Sequence, residues 1–171
     1  MAFVRSVCGF TPKISPDCFM AETAVIIGDI EIGEGCSIWY NAVLRGDVNS
    51  IRVGNNVNIQ DGAVLHTLFE RSKVIIGDNV TIGHNACIHG ARIEDNVLIG
   101  IGAIVLDNAV VQQNTIIAAG ALVLDSQVCE SNAVYAGVPA RKVKEISSQQ
   151  SENMIQRIAT NYKMYASWYN E

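Results

Sequence analysis

The feature that most constrains the fold is an aliphatic residue that recurs every six positions along most of the chain. A period of six fits neither the 3.6-residue repeat of an α-helix nor the strict alternation of a β-strand. It fits a short strand and a turn, repeated, with the aliphatic side chain pointing inward each time. The recurring positions are Ile26, Ile32, Ile38, Leu44, Val53, Ile59, Leu65, Ile76, Ile82, Ile88, Ile93, Ile99, Val105, Val111, Ile117 and Val123, and Cys129 and Tyr135 continue the last series.

Three hexads make one coil of about 18 residues, and successive coils stack by parallel strand pairing about 4.8 Å apart. Each coil covers the open edge of the previous one, so that only the two ends stay exposed. The period therefore predicts an all-β domain, a parallel β-helix, over residues 1–145.

The tail, residues 146–171, loses the period of six. Its apolar residues follow spacings of three and four, which is the stripe of an amphipathic helix. We therefore predict a C-terminal α-helix that packs against the β-helix. The stripe consists of Ile155, Ile158, Tyr162, Tyr165 and Tyr169.

Composition excludes several classes of function. The chain has 171 residues, a net charge of −5 and a pI near 5.1, so no basic surface is available to neutralise nucleic-acid phosphates. No apolar run has the roughly 18 residues of a membrane span, and the N-terminus lacks the apolar block of a signal peptide.

The five cysteines form no CxxC pair. We expect a cytoplasmic protein with reduced thiols that serve in packing.

The chain has three histidines, and the hexads predict where they lie. His66 and His89 directly follow the inward residues Leu65 and Ile88, so both point outward and stack one coil apart, close enough to bind one ion. His84 falls near a corner and does not reach that ion within its own chain. A neighbouring copy could supply it in a homotrimer. Three neutral imidazoles with an open position make a catalytic zinc site, although iron or cobalt would also bind.

The segments RGDVNSIRVGNNVNIQDGAVLH, from Arg45 to His66, and IGHNACIHG, from Ile82 to Gly90, resemble the gamma-class carbonic anhydrase family. The resemblance covers nearly the whole chain. It implies a left-handed parallel β-helix of hexapeptide repeats, a homotrimer, and a lyase that hydrates CO2 to bicarbonate with a zinc-bound hydroxide. The partners would be CO2 and bicarbonate, with no nucleic acid and no membrane.

Matched position by position, the resemblance also implies site residues. The zinc ligands would be His66, His84 and His89. The residues around the substrate and the reacting water would be Gln60, Asn58 and Tyr165. The ion pairs at the subunit interface would be Arg45, Asp47 and Asp61.

The sequence departs from the well-studied branch of this family in the residues that carry protons. Val48 stands where that branch has a glutamate, and the loop TLFERSKV after His66 is short, with Glu70 as its only glutamate. Ser167 replaces a tail asparagine. The chain therefore resembles the shorter branch, and missing proton-shuttle glutamates predict weak anhydrase activity.

Two alternatives from other classes stay open at this stage. The segment AGVPARKV, residues 136–143, resembles the last coil of hexapeptide-repeat acyltransferases, which use coenzyme A and a single histidine base. A zinc-dependent acyl-CoA thioesterase acting on a small acyl substrate is a related alternative. The second alternative is a trimeric assembly subunit without enzymatic activity, which the intact ligand set argues against.

Overall fold

The hexads form a three-faced prism of stacked coils in the computed structural model, which describes residues 2–169. Short strands make the faces, and one helix follows them. The strands are β1 (Phe3–Arg5), β2 (Lys13–Ile14), β3 (Phe19–Met20), β4 (Val25–Ile32), β5 (Ser37–Ile38), β6 (Val43–Val53), β7 (Asn58–Ile59), β8 (Val64–His66), β9 (Val74–Ile76), β10 (Thr81–Ile82), β11 (Cys87–His89), β12 (Arg92–Ile93), β13 (Leu98–Ile99), β14 (Ile104–Val105), β15 (Val110–Val111), β16 (Ile116–Ile117), β17 (Leu122–Val123), β18 (Val128–Cys129), β19 (Ala133–Ala136) and β20 (Arg141–Glu145), and the helix is α1 (Ser148–Ser167).

Each face is a ladder of parallel strands from successive coils. The first face contains β8, β11, β14 and β17, and the second contains β9, β12, β15 and β18. The long strands β4 and β6 turn the corner between these two faces and belong to both, with a register shift between Gly28 and Ile30. The third face contains β3, β5, β7, β10, β13, β16 and β19, and β20 closes it in antiparallel pairing.

The predicted inward aliphatic residues form the core. All of them are buried, and most have no solvent-accessible surface, as for Leu65 and Ile88. The small residue two positions before many of them, such as Ala63 or Ala86, is buried as well. The hexad therefore supplies two core side chains per strand and turn, one large and one small. This close packing accounts for a core that contains few aromatic residues.

Asparagine makes most of the tight corners between faces. Eight asparagines adopt the left-handed conformation with φ between 54° and 59°, including Asn56, Asn79 and Asn96. Asparagine tolerates this region because its short polar side chain bonds to neighbouring backbone or side-chain groups. Asn56 and Asn79 stack at one corner, where the Asn56 Nδ2 donates to the Asn79 Oδ1 at 3.3 Å. These corners let the chain turn sharply after each two-residue strand.

Helix α1 begins at a capping box. Ser147 accepts a hydrogen bond from the Gln150 backbone N–H, and the Gln150 side chain accepts one from the Ser147 N–H. The helix lies against β5 and β10 on the third face of its own chain, with Ile155 fully buried. Near its end, the Tyr162 and Tyr169 rings pack on Trp39, with ring centroids 5.3 and 5.9 Å away.

The predicted fold class, an all-β left-handed parallel β-helix of hexapeptide repeats with a C-terminal α-helix, is confirmed. Strand β20 ends at Glu145 and α1 begins at Ser148. The division into two domains at residue 145 stays a prediction. Residue 1 of the first predicted domain and residues 170–171 of the second lie outside the described residues.

All five cysteines are free. Within the described chain, no helix has the length and apolar character needed to cross a membrane.

Two adjacent residues of β9 provide a test of the core. Ile76 is 3% exposed and Ile75 is 40% exposed, because successive side chains point to opposite sides of the strand. We expect Ile76→Ala to lower the free energy of unfolding by about 2–5 kcal/mol. We expect Ile75→Ala to lower it by about 1 kcal/mol or less. Denaturant unfolding at equal protein concentrations measures both, and equal losses would contradict the inward assignment.

Candidate metal centre

His66 and His89 lie side by side on the first face. Strand β8 pairs with β11 so that Leu65 faces Ile88 and His66 faces His89, as the hexads predict. The two ring centroids are 5.2 Å apart, and the closest ring nitrogens, His66 Nδ1 and His89 Nε2, are 3.2 Å apart. The sequence therefore brings two imidazole nitrogens to one point through strand register alone.

A carboxylate holds the outer nitrogen of each ring. Asp47 Oδ1 lies 3.3 Å from His66 Nε2, and Asp107 Oδ2 lies 2.8 Å from His89 Nδ1. Burial raises the pKa of both carboxyls. Burial is the largest single influence, but the hydrogen bonds from Arg45 and His66 to Asp47 and from Ser72 and His89 to Asp107, together with the nearby positive charge, outweigh it and hold each pKa below its usual value. Both carboxylates are therefore ionised at neutral pH and accept an N–H from the ring.

The two inner ring nitrogens, His66 Nδ1 and His89 Nε2, lie 3.2 Å apart. In the tautomers that place a proton on each outer nitrogen, toward its carboxylate, both inner nitrogens present a lone pair. Two imidazoles on one tetrahedral zinc ion have their nitrogens about 3.3 Å apart, from bond lengths of 2.0–2.1 Å. The pair thus fits two ligands of a single ion, and the carboxylates are the outer partners that metal-bound histidines usually have.

The pKa of His66 favours this neutral form. Burial lowers the pKa of the imidazole, the nearby Arg45 guanidinium lowers it further, and the hydrogen bond to Asp47 opposes them without reversing the sign. Arg45 Nη1 lies 2.7 Å from Asp47 Oδ2, so the guanidinium is held near the ring through the same carboxylate. A neutral imidazole is the form that binds a metal.

His84 lies apart from this pair, just after β10. Its Nδ1 is 2.9 Å from Asp61 Oδ2, and its Nε2 is 3.3 Å from the Tyr162 hydroxyl. In the part of the chain that the structure describes, no group of three histidine, cysteine, aspartate or glutamate side chains could hold a metal ion. The supply of His84 to the pair by a second copy stays a prediction.

Asn58 and Gln60 form a buried chain of hydrogen bonds that ends at His84. The Asn58 Nδ2 donates to Thr81 Oγ1 at 2.8 Å, and the Gln60 Nε2 donates to Asn58 Oδ1 at 3.0 Å. Gln60 Oε1 then accepts the backbone N–H of His84 at 3.2 Å. These contacts fix both amides next to the third histidine. Their contact with substrate or water stays a prediction.

The structure brings together only some of the residues predicted for the subunit interface, and the predicted tyrosine, Tyr165, is not the one that contacts a histidine. Arg45 pairs with Asp47, whereas Asp61 pairs with His84, and a network across subunits stays a prediction. Tyr162 is the tail tyrosine that contacts a histidine, and the Tyr165 ring lies 5.5 Å from the Tyr162 ring. Burial raises the pKa of Tyr162 to about 12, with a further contribution from Asp61, so its hydroxyl is protonated at neutral pH.

The sequence analysis missed three residues of this centre. Asp107 lies in the coil after His89 and contacts its ring. The register of β11 with β14 runs from Ile88 to Val105 and so carries His89 to position 106, one residue before Asp107, and register alone does not identify this carboxylate. Tyr162 lies on the predicted helical stripe, four residues after Ile158. Ser72 gives no periodic signal, because it belongs to the loop between β8 and β9.

Comparisons with known proteins agree with the fold. Residues 90–125 match the family described as bacterial transferase hexapeptide, six repeats. The chain is 44% identical over 161 residues to a carbonic anhydrase of Geobacillus kaustophilus, covering 94% of this chain and 87% of that protein. It is 44% identical over 160 residues to a mitochondrial gamma carbonic anhydrase of Arabidopsis thaliana, covering 91% of this chain but only 58% of the plant protein.

A solved structure with the same fold is that of a hexapeptide transferase family protein from Anaplasma phagocytophilum. It superposes with a TM-score of 0.92 at 36% identity and covers 98% of both chains.

The charge environment of His66 gives a test on the metal-free protein. We expect the pKa of His66 to lie below 6.5, and we expect Arg45→Gln to raise it because a repelling positive charge is removed while Asp47 remains. Proton NMR of the ring Cε1–H measures the pKa, with His66→Asn to assign the signal. Sedimentation must show that the variant keeps its assembly state. An unchanged or lower pKa would contradict the role of Arg45.

Proposed function

Because the chain belongs to the gamma carbonic anhydrase family, we propose that it hydrates CO2 to bicarbonate at a three-histidine zinc site. The site would lie between subunits of a homotrimer, with His66 and His89 from one chain and His84 from the next. Iron or cobalt could take the place of zinc in the same set of ligands.

The observation that carries this proposal is the convergence of His66 Nδ1 and His89 Nε2 at 3.2 Å, with a carboxylate on the outer nitrogen of each ring. A surface histidine pair has no need for two such carboxylates. In the tautomers with both inner nitrogens unprotonated, the two lone pairs would repel each other, and a cation between them would remove the repulsion. This supports the proposal of a bound cation.

Zinc, when bound, supplies a Lewis acid that lowers the pKa of water to about 7 and so makes it a nucleophile. The chain's own residues prepare the ligands. Asp47, Asp107 and Asp61 would each accept a ring proton from one histidine, which leaves the other ring nitrogen unprotonated, as a metal ligand must be; on His84 that nitrogen lies 3.3 Å from the Tyr162 hydroxyl within one chain. Gln60 and Asn58 are uncharged, so they can orient water or bicarbonate without cancelling the positive charge. Tyr162 or Tyr165 would close the site from the side of the helix.

The surface around the histidine pair supports a shared site. A column of outward apolar side chains runs along the first face beside the histidines, in direct register from coil to coil. In the single chain, Val64 is 37% exposed and Ile104 is 40% exposed. A continuous apolar strip of this kind is typical of a surface that another chain covers. The column consists of Val64, Cys87, Ile104 and Leu122.

The proton-transfer step explains why we expect a low rate. Each turnover releases a proton, which leaves fastest through a side chain that titrates near neutral pH. Val48 cannot carry a proton, and Glu70 is exposed in the loop between β8 and β9. We propose that buffer accepts much of the proton flux. The hydration rate should then rise with buffer concentration.

The first test is the metal content of untagged protein purified without chelator, followed by CO2 hydration in stopped flow. We expect about one zinc or iron per chain, as the three-histidine site requires. His66→Ala and His89→Ala should each remove the metal and the activity. A metal-free trimer that also fails to bind added zinc would overturn the proposal.

A mixing experiment tests whether the ligands come from different chains. A His84→Ala chain and a His66→Ala/His89→Ala chain should each bind little metal alone. In co-refolded mixed trimers, part of the metal binding should return, because some interfaces then combine three intact histidines. Mixed trimers shown by mass spectrometry to contain both chains, yet without recovered metal, would count against the shared site.

Acyl transfer is the second candidate, because the solved structure at 36% identity belongs to a protein named as a hexapeptide transferase family member. Coenzyme A binding by calorimetry and hydrolysis of acetyl-CoA by the purified trimer separate the candidates. Thioester hydrolysis that requires the metal would point to a thioesterase. Coenzyme A binding without a metal requirement would favour a transferase.

A further inference from the structure

Asp107 joins the metal-ligand pair to a second part of the chain. Its Oδ2 accepts the His89 Nδ1–H at 2.8 Å, and its Oδ1 accepts a hydrogen bond from the Ser72 hydroxyl. Both carboxylate oxygens are thus in use, and the side chain is only 19% exposed. The bond from Ser72 fixes the rotation of the Asp107 carboxylate. It therefore fixes the position of the oxygen that contacts His89 Nδ1.

Ser72 belongs to the loop between β8 and β9, residues 67–73. It is 3% exposed, and its hydroxyl accepts the backbone N–H of Leu68 at 3.1 Å while donating to Asp107. Its own N–H donates to the Leu68 carbonyl at 3.2 Å. One hydroxyl therefore holds the loop in a turn and also holds the carboxylate that contacts a predicted metal ligand.

Gly90, directly after His89, makes room for this contact. Its φ is +62°, and a Cβ at this position would overlap Ser72 Oγ and Asp107 Oδ1. Any larger residue would push the hydroxyl and the carboxylate apart. The absence of a side chain at Gly90 is thus a geometric requirement for the Ser72–Asp107 bond, separate from the requirement for a positive φ.

We propose that Ser72, Asp107 and Gly90 form a support that positions His89 as a metal ligand and ties the 67–73 loop to that ligand. The inference rests on the proposed metal site and extends it. Asp107 and Ser72 are positioning residues, since they act through His89. The bond from Nδ1 to Asp107 leaves Nε2 free and aims it at the position shared with His66. Loss of such an outer partner typically weakens metal binding 10–100-fold.

The first experiment compares two aspartates in the same register, one coil apart. Asp107→Asn removes the charge that holds His89. Asp125→Asn is the matched control, because Asp125 occupies the same position one coil on and bonds only to the neighbouring Ser126 among the contacts described. Competition with a chromophoric chelator gives the zinc affinity. We expect Asp107→Asn to weaken it roughly 10–100-fold and Asp125→Asn to leave it within about twofold of the wild type.

The second experiment separates two effects of a side chain at position 90, the overlap of its Cβ with Ser72 and Asp107 and the backbone strain at a positive φ. Gly90→Ala and Gly120→Ala place alanine at almost the same positive φ, +62° and +66°, but the new methyl group meets nothing within 4 Å at Gly120. Both variants should lose thermal stability. Only Gly90→Ala should also weaken metal binding and alter the visible spectrum of the cobalt-substituted protein. Ser72→Ala should weaken binding in the same direction, without changing charge or φ.

The loop supplies a readout that does not depend on activity. Arg71 and Lys73 are exposed and flank Ser72, so trypsin can cleave on either side of it. Zinc should slow cleavage here in the wild type, because a fixed His89 fixes Asp107 and Ser72. In Ser72→Ala, zinc should no longer protect the loop.

The outcomes distinguish the two proposals. Wild type that binds no metal overturns both the proposed function and this inference. Wild type that binds metal, with Asp107→Asn, Ser72→Ala and Gly90→Ala all binding equally well, overturns the inference alone. Weaker binding in these three variants but not in their controls supports it, and loss of zinc protection in Ser72→Ala supports the link to the loop.

Discussion

The structure depends on the register between successive coils. Parallel pairing places Leu65 over Ile88 and therefore His66 over His89. A slip of one residue would turn every side chain of a strand to the opposite side, burying the histidines and exposing the aliphatics. Because both inward residues are fully buried, such a slip carries a large hydrophobic cost. The same burial that stabilises the core thus fixes the position of the two imidazoles.

Insertions leave this register intact when they occur at corners. The 67–73 loop adds residues between β8 and β9, yet β9 still pairs with β6 and β12 in register. A loop outside the ladder can change in length without moving the histidines. It can also contribute to the site, as Ser72 does through Asp107. The stacked coils therefore supply fixed ligands, and the corners supply the groups that surround them.

The sequence was sufficient for whatever the six-residue period controls. It predicted the buried aliphatics, the pairing of His66 with His89 and the separate position of His84, because each depends only on counting hexads. The sequence was insufficient where side-chain conformation determines which residues contact each other. Within one chain Asp61 contacts His84, a contact that the hexads did not predict, and its network with Arg45 across subunits stays a prediction. Which tyrosine of α1 meets His84 depends on how the helix is rotated on the third face, and a stripe at spacings of three and four leaves both Tyr162 and Tyr165 facing inward.

The two halves of the proposed chemistry have different structural origins. Ion binding depends on His66 and His89, which the core holds in place, and on carboxylates that lie in β6 and one coil further on. In the proposal, proton transfer depends instead on side chains that hold neither histidine, at Val48 and Glu70. Substitutions at these two positions leave the inward residues of the ladder and the histidines unchanged. A chain of this fold can therefore keep a complete metal site while its turnover falls. Intact ligands are accordingly stronger support for metal binding than for a high rate of CO2 hydration.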